Sequence, residues 1–382
     1  MVRTRCTPAE YRVMIGCDIL SMAGEIARDS LPNTATRIHL ISNPTVFEIY
    51  GKAVETSLRR SRFSVESFLI GDGERFKTFT TLSRILGSLS DNRHERSDGV
   101  LALGGGVVGD LAGFASGVYL RGIPFINAPT TLLAQIDASV GGKTGINLAG
   151  GKNLVGVFHQ PAVVIADLGT LSTLPSRELV SGCYEMIKQA AIANLSLFNR
   201  TSNVVKNLRS GKTTVRSSEM QRLVAKHCRF KASIVADDER EGLLKVDTRS
   251  RKVLNFGHTF AHALETVTNY RRFRHGEAVG IGMIVAATLS NKMGLLRATE
   301  KELLVRTINF CGPLPTTRGI DVNAVLLAIG RDKKTIGGEA HWVLLEQIGV
   351  PRIVKASKIP LPLLRRSVKE ALATVAKQRS EL

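Results

Sequence analysis

The first 175 residues alternate short apolar runs with segments of helical period. RIHLISN from 37 and VLAL from 100 read as strands, and SFLIGDGERFKT at 67–78 reads as a strand running into a polar loop. IPFINAPTTLLAQIDASVGGKTGIN adds a strand, a turn and a helix, and AVVIADLGTL at 162–171 adds a further strand. Strands and helices that alternate at this scale predict a parallel α/β sheet.

The pattern changes after Leu174-Pro175. SRELVSGCYEMIKQAAIANLSLFNR and most of the chain beyond it have helical period and few strand signals. A chain of 382 residues is also too long for one ordinary core. We therefore predict two domains, an α/β Rossmann-like nucleotide-binding domain over 1–175 and a mainly α-helical domain over 176–382. The longest apolar segment, at 278–289, is too short to cross a bilayer and predicts a buried helix rather than a membrane contact.

The charge of +19 raises nucleic acid as a partner. The basic residues are spread along amphipathic segments, however, and one Trp and five Tyr offer few stacking platforms. We therefore expect no nucleic-acid role and favour an anionic small substrate. Five cysteines without CxxC spacing, and an N-terminus without the succession of a signal peptide, predict a reducing, cytoplasmic location.

Gly104, Gly106 and Gly109 form a GxGxxG pattern between a predicted strand and a predicted helix. Such glycines let the backbone approach a pyrophosphate at a helix N-terminus. No acidic residue stands at the usual distance on the next strand, so a dinucleotide would be held in a non-standard way. A tight turn needed only for packing also fits the pattern.

VGGKTG at 140–145 is similar to a P-loop but fails its pattern, because Asp137 takes the place of the first glycine. Lys143 and Lys152 still lie in Gly-rich loops, where ammonium and backbone groups can meet phosphate or carboxylate oxygens. Solvated loop lysines are an equally good interpretation of either residue taken alone.

Three of the eight histidines, His258, His262 and His275, fall within eighteen residues. His258 and His262 are four apart and would share one helix face, with Glu265 a turn further on. Thr259 stands where the HExxH motif of zinc proteases has its glutamate. Neutral imidazoles are good ligands for zinc, but the spacing alone also fits two satisfied histidines on a partly buried helix.

CYEMIKQA at 183–190 places Glu185 and Lys188 one helical turn apart in an otherwise apolar helix. A surface ion pair is the ordinary interpretation of this spacing. The apolar surroundings also make Glu185 a candidate third ligand beside two histidines, leaving coordination positions open for substrate oxygens.

Taken together, several segments resemble the 3-dehydroquinate synthase family, in that family's order and over about 37–350. They are GGGVVGDLAGFAS, RGIPFINAPTTLLAQIDASVGGKTGIN, GKNLVGVFHQP, ELVSGCYEMIKQA, DDERE, RKVLNFGHTFAHALE, RHGEAVGIGM and RDKKTIGGEAHWVLL. The resemblance implies NAD⁺ and one divalent metal, zinc or cobalt, in a cleft between the α/β domain and the helical domain. It also implies a homodimer. It implies the shikimate-pathway conversion of 3-deoxy-D-arabino-heptulosonate 7-phosphate to 3-dehydroquinate and phosphate.

The resemblance also implies roles for individual positions. Its metal ligands fall on Glu185, His258 and His275, which makes Glu265 a helix neighbour. Its catalytic positions are Lys143, Lys188, Arg251, Asn255 and the proton-relay or substrate residue His262. Further substrate contacts are Arg121, Asp137, Asn153, Lys231 and, from RDKK, Lys333 or Lys334. NAD contacts are Asp72, Glu74, Lys77, Gly105, Gly106, Asp110, Thr130, Thr131, Lys143, Lys152, Thr170 and Thr173.

The chain departs from the family pattern at three places. Extra residues, GLLKVDTRS at 242–250, come after DDERE; Asn43 stands where an acidic residue often contacts the ribose; and Cys183-Tyr184 replaces small or apolar residues. Another sugar-phosphate cyclase, of the inosose or valiolone synthase type, is the nearest alternative, but such relatives tend to differ at the positions of Lys231, Asn255 or His262. A metal-dependent polyol dehydrogenase is the second.

Overall fold

The computed structural model describes residues 2–6, 9–242, 245–331 and 341–378. By the packing of its Cα atoms, the chain divides into two compact units. The first comprises 1–175 and 215–236, and the second comprises 176–214 and 237–382. The sequence predicted a single division at Pro175, whereas the segment 215–236 packs with the first unit. The second unit is therefore discontinuous along the chain.

Strands and α-helices are numbered in chain order. The strands are β1 Val2–Cys6, β2 Ala9–Gly16, β3 Arg37–Ser42, β4 Ser64–Leu69, β5 Gly99–Gly104, β6 Phe125–Pro129, β7 Lys143–Leu148, β8 Gly151–Phe158, β9 Val163–Asp167, β10 His341–Gln347 and β11 Val350–Lys355. The α-helices are α1 Ala23–Arg28, α2 Pro44–Val46, α3 Lys52–Arg60, α4 Phe79–Asp91, α5 Gly106–Val118, α6 Ser176–Ala193, α7 Leu195–Arg209, α8 Ser218–Asp237, α9 His258–Val267, α10 His275–Lys292, α11 Ala298–Asn309, α12 Val322–Arg331 and α13 Leu361–Gln378.

A seven-stranded sheet in the order β1-β2-β9-β6-β5-β3-β4 forms the core of the first unit. The β1–β2 pair is antiparallel and the other pairs are parallel, which confirms the predicted α/β class. In β5, Leu101 and Leu103 belong to one hydrophobic cluster, while Val100 and Ala102 belong to another. Successive side chains of a strand point to opposite faces, so this strand is buried on both sides, as parallel strands usually are.

Two regions of the first unit differ from the sequence-based prediction. The helix expected after β6 is present but short, and most of it is a π-helix at Ala134–Ala138. The Gly-rich residues after this helix form an antiparallel hairpin of β7 and β8. Glycine lowers strand propensity and obscures an alternating pattern, which explains why the hairpin gave no strand signal.

The second unit is mainly helical. Helix α10 is buried over Gly276–Ser290, which confirms the buried helix predicted at 278–289. It packs against α6, α9, α11 and α13, so its apolar residues face neighbours on all sides. The hairpin β10–β11 is the part of this unit that the helical pattern did not predict. None of the described helices is long and apolar enough to cross a membrane.

Candidate active site

Three side chains of the second unit converge as a candidate metal site. Glu185 lies within α6, and His258 and His275 are the first residues of α9 and α10. Glu185 Oε1 lies 3.6 Å from Nε2 of His258 and 3.6 Å from Nε2 of His275. These distances are long for hydrogen bonds. Two ligands about 2.1 Å from one tetrahedral ion would stand about 3.4 Å apart, so the three side chains fit a single divalent cation.

The chemistry of Glu185 supports this fit. Its side chain is fully buried, and its Oε1 has no hydrogen-bond partner among the described residues. Lys188 Nζ lies 2.6 Å from the other oxygen and balances the charge. An unpartnered buried carboxylate oxygen is costly, because it has lost its water without gaining a donor. A cation between Oε1 and the two imidazoles would supply the missing partner.

Close helix packing brings these residues together. A Cβ atom at Gly276 would lie 2.0 Å from the carbonyl oxygen of Ser181, so only glycine lets α10 approach α6 this closely. His275 directly precedes Gly276, and Glu185 lies one turn beyond Ser181. Gly257, with φ of 79°, ends the preceding segment and starts α9 at His258.

Both imidazoles of the candidate metal site are oriented through their Nδ1 atoms. Nδ1 of His258 lies 3.3 Å from the carbonyl oxygen of Phe256, and Nδ1 of His275 lies 3.3 Å from Oε2 of Glu265. With Nδ1–H donating to these acceptors, each ring directs Nε2 toward Glu185. Histidine ligands of metals usually have such a partner on the second nitrogen. The spacing of His258, His262 and Glu265 did not indicate that Glu265 contacts His275.

His262 is near this cluster but is not one of the three converging ligands. Its ring centroid lies 5.5 Å from that of His258 and 6.2 Å from that of His275. In this arrangement His258 converges with His275 and Glu185, whose ligand atoms all lie within 4.8 Å of one another. His262 is half-buried, a position from which an imidazole can exchange protons beside a metal site.

Arg251 and Asn255 lie on the 3-10 turn that leads into α9. Arg251 is buried and its Nη1 donates to the carbonyl of Glu239 at 2.8 Å, while Asn255 Nδ2 lies 3.4 Å from Oε1 of Glu241. Asp238 accepts from the Arg251 backbone N–H at 2.8 Å. Burial acts to raise the pKa of the Asp238 carboxyl, but backbone hydrogen bonds outweigh it and the net pKa is lowered. The DDERE segment therefore anchors this turn.

In the first unit, Lys77 is the centre of a polar cluster. Its buried ammonium donates to Asp110 on α5 and to the side-chain oxygen of Asn153. Burial raises the pKa of the Asp110 carboxyl, and Lys77 opposes that shift. Lys77, Asp110 and Asn153, all suggested for NAD or substrate contact, thus lie together, with the Lys77 ammonium between the other two side chains.

Asp72 and Glu74 hydrogen bond to residues outside the Lys77 cluster. Asp72 accepts from Asn43 and, at 3.0 Å, from Thr45. Glu74 accepts from Asn147 at 2.7 Å. Asn43 is one of the positions at which the chain departs from the family pattern. Its side chain donates to the Asp72 carboxylate instead of contributing a carboxylate of its own.

The Gly-rich turn runs from β5 into α5, with Gly105 as the N-cap residue and Gly106 as the first helical residue. The Thr130 backbone N–H donates to the carbonyl of Gly104 at 2.9 Å, which places the Thr130-Thr131 pair beside the turn. A Cβ atom at Gly105 would lie 3.3 Å from Thr131 Cγ2. An α-helix N-terminus with little side-chain cover is a suitable position for a phosphate group.

The remaining positions lie in several parts of the first unit. Thr170 is buried and donates to the carbonyl of Asp167 at 2.7 Å, and Thr173 Oγ1 lies 2.5 Å from the hydroxyl of Tyr50. Asp137 forms an ion pair at 2.6 Å with the buried Lys231. Lys143 is exposed on β7, Lys152 is half-buried on β8, and Arg121 is exposed with φ of 64°. Lys333 and Lys334 lie outside the described residues.

Comparison with known proteins identifies the class and then the family. The structure is similar to that of 2-epi-5-epi-valiolone synthase ValA from Streptomyces hygroscopicus, solved with NAD⁺ and Zn²⁺ bound, with a TM-score of 0.84, 25% identity and coverage of 99% of this chain and 100% of that one. It also shares its fold with a 2-deoxy-scyllo-inosose synthase solved with NAD⁺ and Co²⁺, with a TM-score of 0.81, 24% identity and coverage of 97% and 99%. The fold is therefore that of the sugar-phosphate cyclases.

The family models are more specific. The N-terminal model of 3-dehydroquinate synthase matches residues 67–181, and the C-terminal model matches residues 182–335. A 3-dehydroquinate synthase from Pelotomaculum thermopropionicum is 42% identical over 340 residues, which cover 89% of this chain and 88% of the relative. The chain belongs to the 3-dehydroquinate synthase family.

Proposed function

We propose that this protein converts 3-deoxy-D-arabino-heptulosonate 7-phosphate to 3-dehydroquinate and phosphate, with NAD⁺ and one divalent metal, Zn²⁺ or Co²⁺, as cofactors. The observation that carries the proposal is the convergence of the buried Glu185 carboxylate with two imidazoles, in a chain of this family. The ValA and inosose synthase structures, which hold NAD⁺ with Zn²⁺ or Co²⁺, support the choice of cofactors.

The ligands proposed for the metal are Glu185, His258 and His275. When bound, the metal would acidify a substrate hydroxyl, and NAD⁺ would take up and return a hydride. Around that chemistry the protein has two tasks, which are to bind two anionic groups of the substrate and to move protons.

The first task falls to cationic side chains. A substrate with a carboxylate and a phosphate accounts for two buried cations of the second unit, Lys188 next to Glu185 and Arg251 on the turn that leads into α9. Lys143, Lys152 and Lys231 are the cations proposed for the first unit. Arginine is suited to paired contacts with a planar carboxylate or a phosphate, and lysine provides a compact charge.

The second task falls to His262 and Asn255. We assign His262 to proton relay, because its ring stands next to both imidazole ligands without occupying a ligand position. We assign Asn255 to substrate orientation, since its amide lies on the turn immediately before the metal-binding helix. Lys77 and Asp110 are proposed to support the NAD site, Asp72 and Glu74 to contact the cofactor, and Asn153, which accepts from Lys77, to contact the substrate.

Phosphate release from the heptulosonate phosphate tests the proposal directly. We expect release that requires NAD⁺, is abolished by a chelator and returns on addition of zinc or cobalt. No phosphate release with metal and NAD⁺ present would overturn the proposal. Steady accumulation of NADH would instead identify a polyol dehydrogenase, because the proposed cycle regenerates NAD⁺.

A residue-level test separates the ligands from their neighbour. His275→Ala should lose bound metal, whereas His262→Ala should retain a stoichiometric ion and lose turnover. Metal analysis after gel filtration measures the first property, and phosphate release measures the second. Stoichiometric metal in His275→Ala would mean that the ligands are misassigned.

We further propose a homodimer in the cytoplasm, on the basis of the family resemblance and the unpatterned cysteines. Four of these cysteines, Cys17, Cys183, Cys228 and Cys311, are free thiols in the structure. Light scattering on the purified protein tests the oligomeric state, and a monomer at working concentrations would contradict it.

A further inference from the structure

We propose that Glu265 is a positioning residue for the metal site: its carboxylate holds the Nδ1–H of His275, so that Nε2 is presented to the cation. The inference rests on the proposed function, because it concerns the ligand set assigned there. Glu265 is itself not a ligand and does not touch the reacting atoms in this assignment.

The contact is specific in its geometry. Oε2 of Glu265 lies 3.3 Å from Nδ1 of His275, while Nε2 of the same ring lies 3.6 Å from Oε1 of Glu185. The two ring nitrogens therefore face two different carboxylates. An imidazole between two carboxylates can donate to only one of them if it is neutral, and a bound cation requires the lone pair on the side of Glu185.

The burial of Glu265 strengthens the argument. Its residue is only 3% exposed, although it stands one position from the exposed Thr266 on the last turns of α9. A carboxylate is rarely buried without a specific partner, because leaving water is costly. The His275 imidazole, 35% exposed at its side chain, is a partner that compensates for this cost.

The second imidazole provides an internal comparison. Nδ1 of His258 lies at the same distance, 3.3 Å, from the backbone carbonyl of Phe256. Both rings are thus held through Nδ1, one by a neutral acceptor and one by a charged acceptor. The charged acceptor makes the His275 imidazole a stronger electron-pair donor to a metal cation, and it adds a negative charge next to the site. Of the two acceptors, the Glu265 carboxylate is the one that a substitution can remove, because the other is a backbone carbonyl.

The loop between α9 and α10 brings Glu265 to His275 and so favours a positioning role for Glu265. Glu265 and His275 are ten residues apart and lie on different helices, α9 and α10. The connecting residues include Asn269 and Tyr270 in the left-handed region, with φ of 50° and 56°. The Tyr270 backbone N–H donates to the Glu265 carbonyl at 2.8 Å, so the turn that redirects the chain toward His275 begins at Glu265 itself.

The experiment is metal affinity across a series at this position. Glu265→Gln removes the charge but keeps an amide oxygen that can accept from Nδ1–H, and Glu265→Ala removes both. We expect the Zn²⁺ dissociation constant, from competition with a chromophoric chelator, to rise about tenfold in the first and about a hundredfold in the second. The visible spectrum of the Co²⁺ form should change, because the orientation of His275 changes. Glu265→Asp should recover part of the affinity.

Asp98→Asn serves as the matched control. Asp98 is also a buried carboxylate, but it lies in the first unit and accepts from the backbone N–H groups of Thr36 and Arg37, so its loss should lower the melting temperature with little effect on metal affinity. Glu265 variants that melt lower yet bind Zn²⁺ and give the Co²⁺ spectrum of the wild type would reduce Glu265 to a structural role and overturn the inference.

The two proposals fail separately. Suppose that the wild type binds metal and the Glu265 substitutions weaken that binding, while no phosphate is released from the heptulosonate phosphate. In that case the proposed function fails and the positioning role stands. If the wild type turns over and the series leaves both metal affinity and spectrum unchanged, the positioning role fails and the function stands.

Discussion

Replacing Lys188 with methionine is the sharpest test of the charge balance at the metal site. Lys188 Nζ lies 2.6 Å from Oε2 of Glu185, and both side chains are almost completely buried. Methionine keeps the apolar stem and removes the charge. In the metal-free protein, the Glu185 carboxylate would then be buried without a compensating cation.

The expected cost is large. Removing one partner of a buried ion pair typically destabilises a protein by about 3–5 kcal/mol. For a unit of this size, each kcal/mol lowers the melting temperature by about 2–4 °C, so we expect a fall of about 10 °C for Lys188→Met in a chelator. The surface pair of Lys292 and Glu370, at 2.7 Å, provides the control, and Lys292→Met should change the melting temperature by about 2 °C or less.

Metal should reverse the loss, because a divalent cation can replace the missing ammonium. Two unit charges about 4 Å apart interact by about 4 kcal/mol at an effective dielectric constant of about 20, which is about a thousandfold in a binding constant, so losing this repulsion should tighten Zn²⁺ binding by about tenfold to a thousandfold. Thermal scans with chelator and with Zn²⁺, and chelator competition, measure both effects. An unchanged metal-free melting temperature together with unchanged Zn²⁺ affinity would refute the assigned charge balance.

Three further predictions concern other parts of the molecule. Gly276→Ala should lower the melting temperature by more than about 5 °C, because the new methyl group meets backbone, whereas Gly87→Ala, in open space on α4, should be neutral or stabilising. Lys77→Met should raise the NAD⁺ dissociation constant about tenfold by calorimetry, since one charge-assisted contact to Asp110 is lost; an unchanged constant would exclude Lys77 from the cofactor site. Burial lowers the pKa of His39 from 6.5 to about 4, so as the pH falls the unfolded chain binds a proton at this position before the folded chain does. The contribution of His39 to stability is therefore fully present above pH 6.5 and is lost as the pH falls toward 4, by about 2 kcal/mol at pH 5. His39→Leu should reduce the loss of stability between pH 7.5 and pH 5 by about 2 kcal/mol in urea titrations, leaving the part that comes from the other buried histidines, such as His227, whose pKa burial lowers to about 3.

The parallel sheet could be predicted from the sequence because its strands are buried on both faces and read as continuous apolar runs. The β7–β8 hairpin could not, because Gly145, Gly151 and Gly156 interrupt its pattern. A Cβ atom at Gly156 would lie 1.9 Å from the carbonyl oxygen of Thr144 across the hairpin. The glycines that allow the two strands to approach each other therefore also lower the strand propensity of the segment, so the sequence does not predict the hairpin.

The candidate metal ligands show a similar division. The apolar helix around Glu185 already made it a candidate ligand, but the set of Glu185, His258 and His275 came from resemblance to a family, since helical spacing pointed to His258 with His262. Spacing within one helix reports which side chains share a face, but it does not report where a second helix begins. The contact of Glu265 with His275 depends on the turn between α9 and α10 and has no signature in the number of residues that separates them.

The start of α10 connects helix capping to metal binding. Glu277 accepts from the Arg274 backbone N–H at 2.7 Å, which fixes His275 as the first helical residue, and Gly276 sets how closely that residue approaches α6. A ligand at a helix start moves with the cap and with the helix contact, whereas a ligand in a helix interior moves only with the helix. Gly276→Ala should therefore weaken Zn²⁺ binding more than its loss of stability would require. In Gly276→Ala protein that is still folded at 20 °C, wild-type affinity would show that the site tolerates displacement of α10.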